Sequence, residues 1–125
     1  MRVNLQTLKS LLQTNVVEVK FNRRRPKPGA PLTRRMLCTN SGELLSSPQG
    51  RTTLNYTPPA KAPKYNPDNK NLVVTWDIFM QGYRTISVES CDLITMIPAN
   101  DQFWVYFTEH IANMPQDQKI AFMNV

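Results

Sequence analysis

Residues 16–39 read VVEVKFNRRRPKPGAPLTRRMLCT, and the way this stretch divides decides the fold. Its first six residues alternate, with Val17, Val19 and Phe21 on one face and Glu18 and Lys20 on the other, in a β-branched composition that suits a strand. RRMLCT at 34–39 alternates as well, setting Met36 and Cys38 against Arg35, Leu37 and Thr39. Between the two, Pro26, Pro28 and Pro31 cannot donate ladder hydrogen bonds, while Gly29 permits a turn. The segment therefore predicts two consecutive antiparallel strands joined by a loop that stays out of the sheet.

Working outward, NLQTLKSLLQTN begins at Asn4, a good N-cap, and spaces Leu5, Leu8, Leu11 and Leu12 as a short amphipathic helix over 4–14. Beyond the strand pair, 40–70 has almost no periodicity and holds Pro48, Pro58, Pro59, Pro63 and Pro67 among Ser, Thr, Asn and Gly. It is expected to be a long Pro-rich loop or insertion. LVVTW at 72–76 and YRTISV at 83–88 predict a hairpin connected through 77–82, and LITMI at 93–97 a further strand closed by Pro98. Asn100 or Asp101 can cap a helix containing Phe103, Trp104, Phe107 and Ile111, and Pro115 can open a last one to Met123. The dense run FWVYF also suits a buried strand. Helix is the preferred reading, giving a helical C-terminus over 100–123.

The sum is a mainly β, α+β chain of one domain over 1–125. About five strands (16–39, then 71–97) are expected to form a small, strongly bent sheet or barrel with helical caps, since closure removes exposed edges. A length of 125 residues suits one modest core.

Charge is distributed unevenly. Residues 1–70 carry thirteen Lys or Arg against three acids, and 71–125 carry two against six, so a chain of net charge +6 is polarised between +10 and −4. Such a basic side suits a polyanion, or a protein with an acidic surface. The densest charge is the loop itself: Arg23, Arg24, Arg25, Lys27, Arg34 and Arg35, with no acid among them. Arginine offers a flat, forked donor that fits phosphate, and the prolines limit the entropy lost on binding. Four to six phosphate contacts there would give a salt slope of about −4 to −5 on duplex DNA. In the insertion, Tyr56 and Tyr65 interleave with Arg51, Lys61, Lys64 and Lys70, a pattern that can stack bases and hold phosphates. A plain linker with anchoring aromatics explains it equally well.

Other chemistry is thinly represented. Cys38 and Cys91 read as small buried thiols in a reduced protein, with a single disulfide as the alternative, and no signal-peptide pattern or long apolar run appears. One histidine, His110, and two isolated cysteines give no metal site, with Glu109 expected to face away from His110 on a helix. Asp77, Glu89 and Asp92 are not paired for acid-base work, and no glycine-rich phosphate loop is present. No catalytic residue, cofactor or metal is expected, nor a membrane span. Met36, Cys38, Trp76 and Ile86 are expected in the core. Phe79, Met80 and Tyr83 beside the hairpin turn, and Trp104 in the last segment, can seat a helix or contact another protein.

The pieces VVEVKF, RRMLCT and LVVTWDIFMQGYRTISVES together resemble the phage branch of the WYL-like proteins. The carrying positions are Val17, Glu18, Val19 and Phe21; Arg34, Met36, Cys38 and Thr39; Thr75, Trp76 and Asp77; and Gly82, Tyr83, Arg84, Thr85 and Ile86. The resemblance implies a barrel of Sm-like type in a phage-encoded, non-enzymatic protein of the infected bacterial cytoplasm. In cellular relatives the last of these strands carries arginines that face a nucleotide or oligonucleotide. Arg84 and Glu89 match that pattern, but Ser87 and Ser90 stand where later arginines would be.

The leading expectation is thus an accessory protein that binds DNA or RNA, or a nucleoprotein complex, through its basic loop. The alternatives are a host-takeover or anti-defence factor that docks on a bacterial protein, and a small-nucleotide binder using Arg84 and Glu89. Strand-edge assembly into a homo-oligomer is a further expectation of the resemblance.

Overall fold

The computed structural model describes residues 1–59 and 66–124. Helix α1 (Leu5–Thr14) is capped by Asn4, whose side chain accepts the Thr7 amide at 2.8 Å, and it buries Leu8 and Leu12. A ten-residue helix is marginal alone. It is held because the next residues form an inner strand of the sheet beneath it.

That sheet is antiparallel and five-stranded: β1 (Asn15–Asn22), β2 (Thr33–Thr39), β3 (Leu72–Asp77), β4 (Gly82–Ser87) and β5 (Asp92–Pro98). The strand order is β4-β3-β2-β1-β5, with β1 paired to β2 from Val17 opposite Cys38 to Asn22 opposite Thr33. β4 and β5 lie on opposite edges, yet only the turn Val88–Ser90 and its flanks connect them. Five flat strands span about 19 Å at about 4.8 Å per step, and a link containing a tight turn falls short of that. The sheet must therefore curl until its two edges approach at one end. Ile86 of β4 and Leu93 of β5 accordingly share one apolar cluster with Leu8, Leu12, Val17, Val19, Met36 and Cys38. No ladder joins β4 to β5, so the sheet is curled but open.

The other face is not left to solvent. Val16, Leu37 and Trp76 project into a second cluster with Leu44, Leu45, Leu54, Ile78, Phe79, Phe103 and Ile111. This corrects the expectation for 40–70, which is not a plain loop in its first part. Two short helices, α2 (Gly42–Leu45) and α3 (Pro48–Thr53), are each started by a serine, Ser41 and Ser47, whose hydroxyl accepts the amide three residues on. Each helix is under two turns long, too short for apolar periodicity to show, yet Leu44 and Leu45 of α2 and Leu54, just after α3, fill the second core. A 3-10 turn (Pro67–Lys70) leads into β3.

FWVYF is helical, as preferred from sequence: α4 (Asp101–Tyr106) is capped by Asn100 and buries Phe103. It widens into a π-helical turn (Phe107–Ile111) that brings Glu109 to 3.7 Å from His110, against the expectation that they diverge. The last helix, α5 (Gln116–Met123), follows Pro115 and contains no fully buried residue. Met36, Cys38, Trp76 and Ile86 are all buried, and Cys38 and Cys91 are free buried thiols.

Candidate nucleic-acid interface

The basic loop is a well-braced hairpin end. The Arg23 amide donates to the Leu32 carbonyl at 2.8 Å, extending the β1–β2 ladder, and Ala30 donates to Lys27 at 3.0 Å to close the tip. Pro28 and Gly29 are the central residues of that turn, and Gly29 has φ +82°, the left-handed geometry that a type II turn requires after proline. Arg23 turns back on the loop, its guanidinium donating to the carbonyls of Pro31 at 2.9 Å and Thr33 at 2.8 Å and to Asn124 Oδ1 at 2.7 Å.

Arg34 and Arg35 do not project with the loop. Arg34 donates to the carboxylate of Asp77, itself 1% exposed, whose other oxygen accepts the amides of Phe79 at 3.0 Å and Met80 at 3.1 Å. Burial pushes the Arg34 guanidinium below its ordinary range, and Asp77 offsets this only in part. Burial also raises the Asp77 carboxyl, against the pull of Met80, Arg34 and Phe79. Arg35 gives both Nε, at 3.2 Å, and Nη2, at 2.7 Å, to Glu18, and its guanidinium lies 4.2 Å from the ring centre of Phe122. The six cations therefore divide by strand register: those on β2 meet carboxylates across the sheet, while Arg24, Arg25 and Lys27 are exposed and have no partner among the described residues.

The loop charge and Arg84, separate in sequence, meet in space. Arg84 and Arg23 are both near enough to Arg34 for their charges to act on it, and Arg84 donates to the Tyr83 carbonyl rather than to an acid. A hollow of about 480 Å³ is lined by Phe21, Arg23, Arg24, Arg25, Arg34 and Thr85. A neighbouring one of about 450 Å³ shares Arg23 and Arg24 and adds Arg2, Asn22, Ser87, Glu89 and Ser90. Arg2 is occupied by Asp92, at 3.3 Å, and by the Glu89 carbonyl, at 2.7 Å. The arginine hollow contains no carboxylate of its own, and the one nearby, Asp77, is already matched by Arg34.

The aromatic candidates are placed differently from the expectation of a base-stacking insertion. Tyr56 packs edge-on against Trp76, with ring centres 5.0 Å apart, and its hydroxyl is 2.8 Å from that of Tyr83. Burial and this contact hold the Tyr83 phenol above its ordinary range. Tyr56 and Tyr83 are thus core-edge residues, while Phe79 is buried against Phe122 with ring centres 4.9 Å apart. Met80 is exposed, and Trp104 is half-buried between Phe103 and Phe107. Arg51 is on α3, donates to the Ser46 carbonyl at 3.3 Å and lines neither hollow. Lys61, Lys64 and Tyr65 lie outside the described residues.

No protein-family model, curated protein or solved structure matches this chain.

Sequence reasoning passed over Asp77 and Glu18 as partners of the arginines. The signal for Glu18 was the register itself, since the hairpin places Glu18 opposite Leu37 and beside Arg35. For Asp77 there was none, because its contact with Arg34 spans a strand pairing that begins only at Cys38. Among the described residues no group of three or more His, Cys, Asp or Glu could hold a metal, and no helix is long and apolar enough to cross a membrane.

Proposed function

We propose that the protein is a non-enzymatic nucleic-acid-binding protein that holds the phosphate backbone through Arg23, Arg24, Arg25 and Lys27. The observation that carries this reading is the arginine hollow at the hairpin base, four guanidiniums around one cavity without an unmatched carboxylate. Three of the loop cations stand free on a braced hairpin, so little order must be gained on binding. Backbone contacts of this kind bind DNA or RNA without reading sequence. The likeness of the strand pieces to WYL-like proteins supports a barrel of Sm-like type acting in an infected bacterial cytoplasm. The curl of the sheet and the short β4–β5 link fit that architecture.

The variant Arg24→Ala/Arg25→Ala/Lys27→Ala tests the reading by fluorescence anisotropy with labelled DNA and RNA. It leaves the internal ion pairs intact and is expected to fold as the wild type and lose most of its affinity; unchanged affinity removes the loop from the function. A protein-binding role, on a host protein or a second copy, is favoured by one observation only. Ile94 and Met96 are about half exposed on the edge strand β5, whose outer side pairs with no other strand among the described residues. Retention of a partner from nuclease-treated bacterial lysate, abolished by Ile94→Lys but not by the loop variant, would establish that role instead.

A further inference from the structure

Helix α5 rests on the same arginines. Its anchor is three consecutive residues: Phe122 on the Arg35 guanidinium, Met123 Sδ at 3.9 Å from Arg34 Nη2, and Asn124 Oδ1 at 2.7 Å from Arg23 Nη2. None of the three contacts brings a negative charge. The rest of α5 is loosely seated, with Ile120 about half exposed and a cavity of about 300 Å³ between Lys119 and Thr53, Ile78, Phe107 and Ile111. Eight residues are too few for a helix to persist undocked.

We infer that α5 is a displaceable cover on the phosphate site, its C-terminal end and a polyanion competing for Arg23 and Arg34. An arginine hydrogen bond to a phosphate oxygen joins opposite charges and can be bidentate, neither of which a neutral amide oxygen offers. Arg23 Nη2 therefore gains by exchanging Asn124 for phosphate. Arg34 Nε, buried and without a hydrogen-bond partner, offers the incoming anion a second donor beneath Met123. The ligand class is a flexible polyphosphate backbone, which can enter the hollow. Undocking consumes part of the binding energy, so the affinity of the full chain is lowered by the fraction of molecules in which α5 is off.

The inference rests on the phosphate-binding reading, and the experiment separates the two. A short fluorescein-labelled single-stranded DNA is titrated against the wild type, Phe122→Ala and Asn124→Ala, and amide exchange over 116–123 is followed in the wild type with and without the DNA. Both variants are expected to bind about fivefold or more tightly than the wild type, and the DNA is expected to accelerate exchange in α5. Equal or weaker binding by the variants, with α5 exchange unchanged or slowed, overturns the cover while leaving the phosphate site standing. No binding by any of the three proteins overturns both. The exchange measurement needs no variant, so poor folding of Phe122→Ala does not shield the idea.

Discussion

At the scale of single residues, the Arg34–Asp77 pair ties the candidate interface to the fold. Asp77 closes the turn after β3 by accepting two backbone amides, and its remaining oxygen is held by Arg34. Deleting either partner leaves an uncompensated buried charge, so Arg34→Ala and Asp77→Ala are each expected to cost about 3–5 kcal/mol in urea denaturation. Asp77→Asn should cost less than Asp77→Ala, because its amide oxygen still serves Phe79 and Met80. Equal losses for the two would mean that the turn hydrogen bonds contribute nothing. Cys91 gives a second test at this scale, since burial pushes its thiol from 9.0 up to about 11. An acid whose pKa is raised by folding binds its proton more tightly in the native state, so stability is full below pH 9 and falls as the pH rises to about 11. The loss across that window is on the order of 3 kcal/mol. Cys91→Ala should show a flatter dependence there, and an identical slope would assign the alkaline loss to other groups.

At the scale of elements, the hairpin of 16–39 was readable because alternation and proline placement act locally. Val17, Val19, Phe21, Met36 and Cys38 do face one core. What covers the opposite face was not readable, for a reason of sheet architecture. Alternation with Glu18, Lys20 and Arg35 looks like a solvated surface, whereas a sheet buried on both faces hides such residues as ion pairs and covers the remainder with segments from elsewhere in the chain. Those covering segments, α2 and α3, were invisible because an element of under two turns carries no period. Gly50 now marks their joint: a Cβ there would lie 2.1 Å from the Leu44 carbonyl oxygen and 2.7 Å from that of Leu45. The atoms in the way are backbone, so they cannot rotate aside. Gly50→Ala is therefore expected to cost about 1–3 kcal/mol, with the hairpin of 16–39 spared in an amide-exchange map. A neutral substitution would show that α2 and α3 are not packed as described.

At the scale of the whole molecule, the polarised charge has to be recounted through the structure before it predicts binding. The composition of 1–70 suggests thirteen cations available to a polyanion, but Arg2, Lys9, Arg34 and Arg35 already meet Asp92, Asp68, Asp77 and Glu18. Of the loop, Arg24, Arg25 and Lys27 remain unengaged, with Arg23 able to join by releasing Asn124. Four phosphate contacts predict a slope of log affinity against log salt near −3.6 on duplex DNA and about −2.8 on a single strand, below the value that six loop cations would give. The triple loop variant leaves one contact and should fall to about −0.9 or −0.7. Arg35→Ala acts through the fold instead, since it strands Glu18 at 7% exposure; it should lower the unfolding midpoint far more than it changes the salt slope of the folded fraction. A steep slope surviving in the triple variant would place the polyanion on another face of the molecule, and the four-guanidinium hollow would then be a device for holding the hairpin to the sheet.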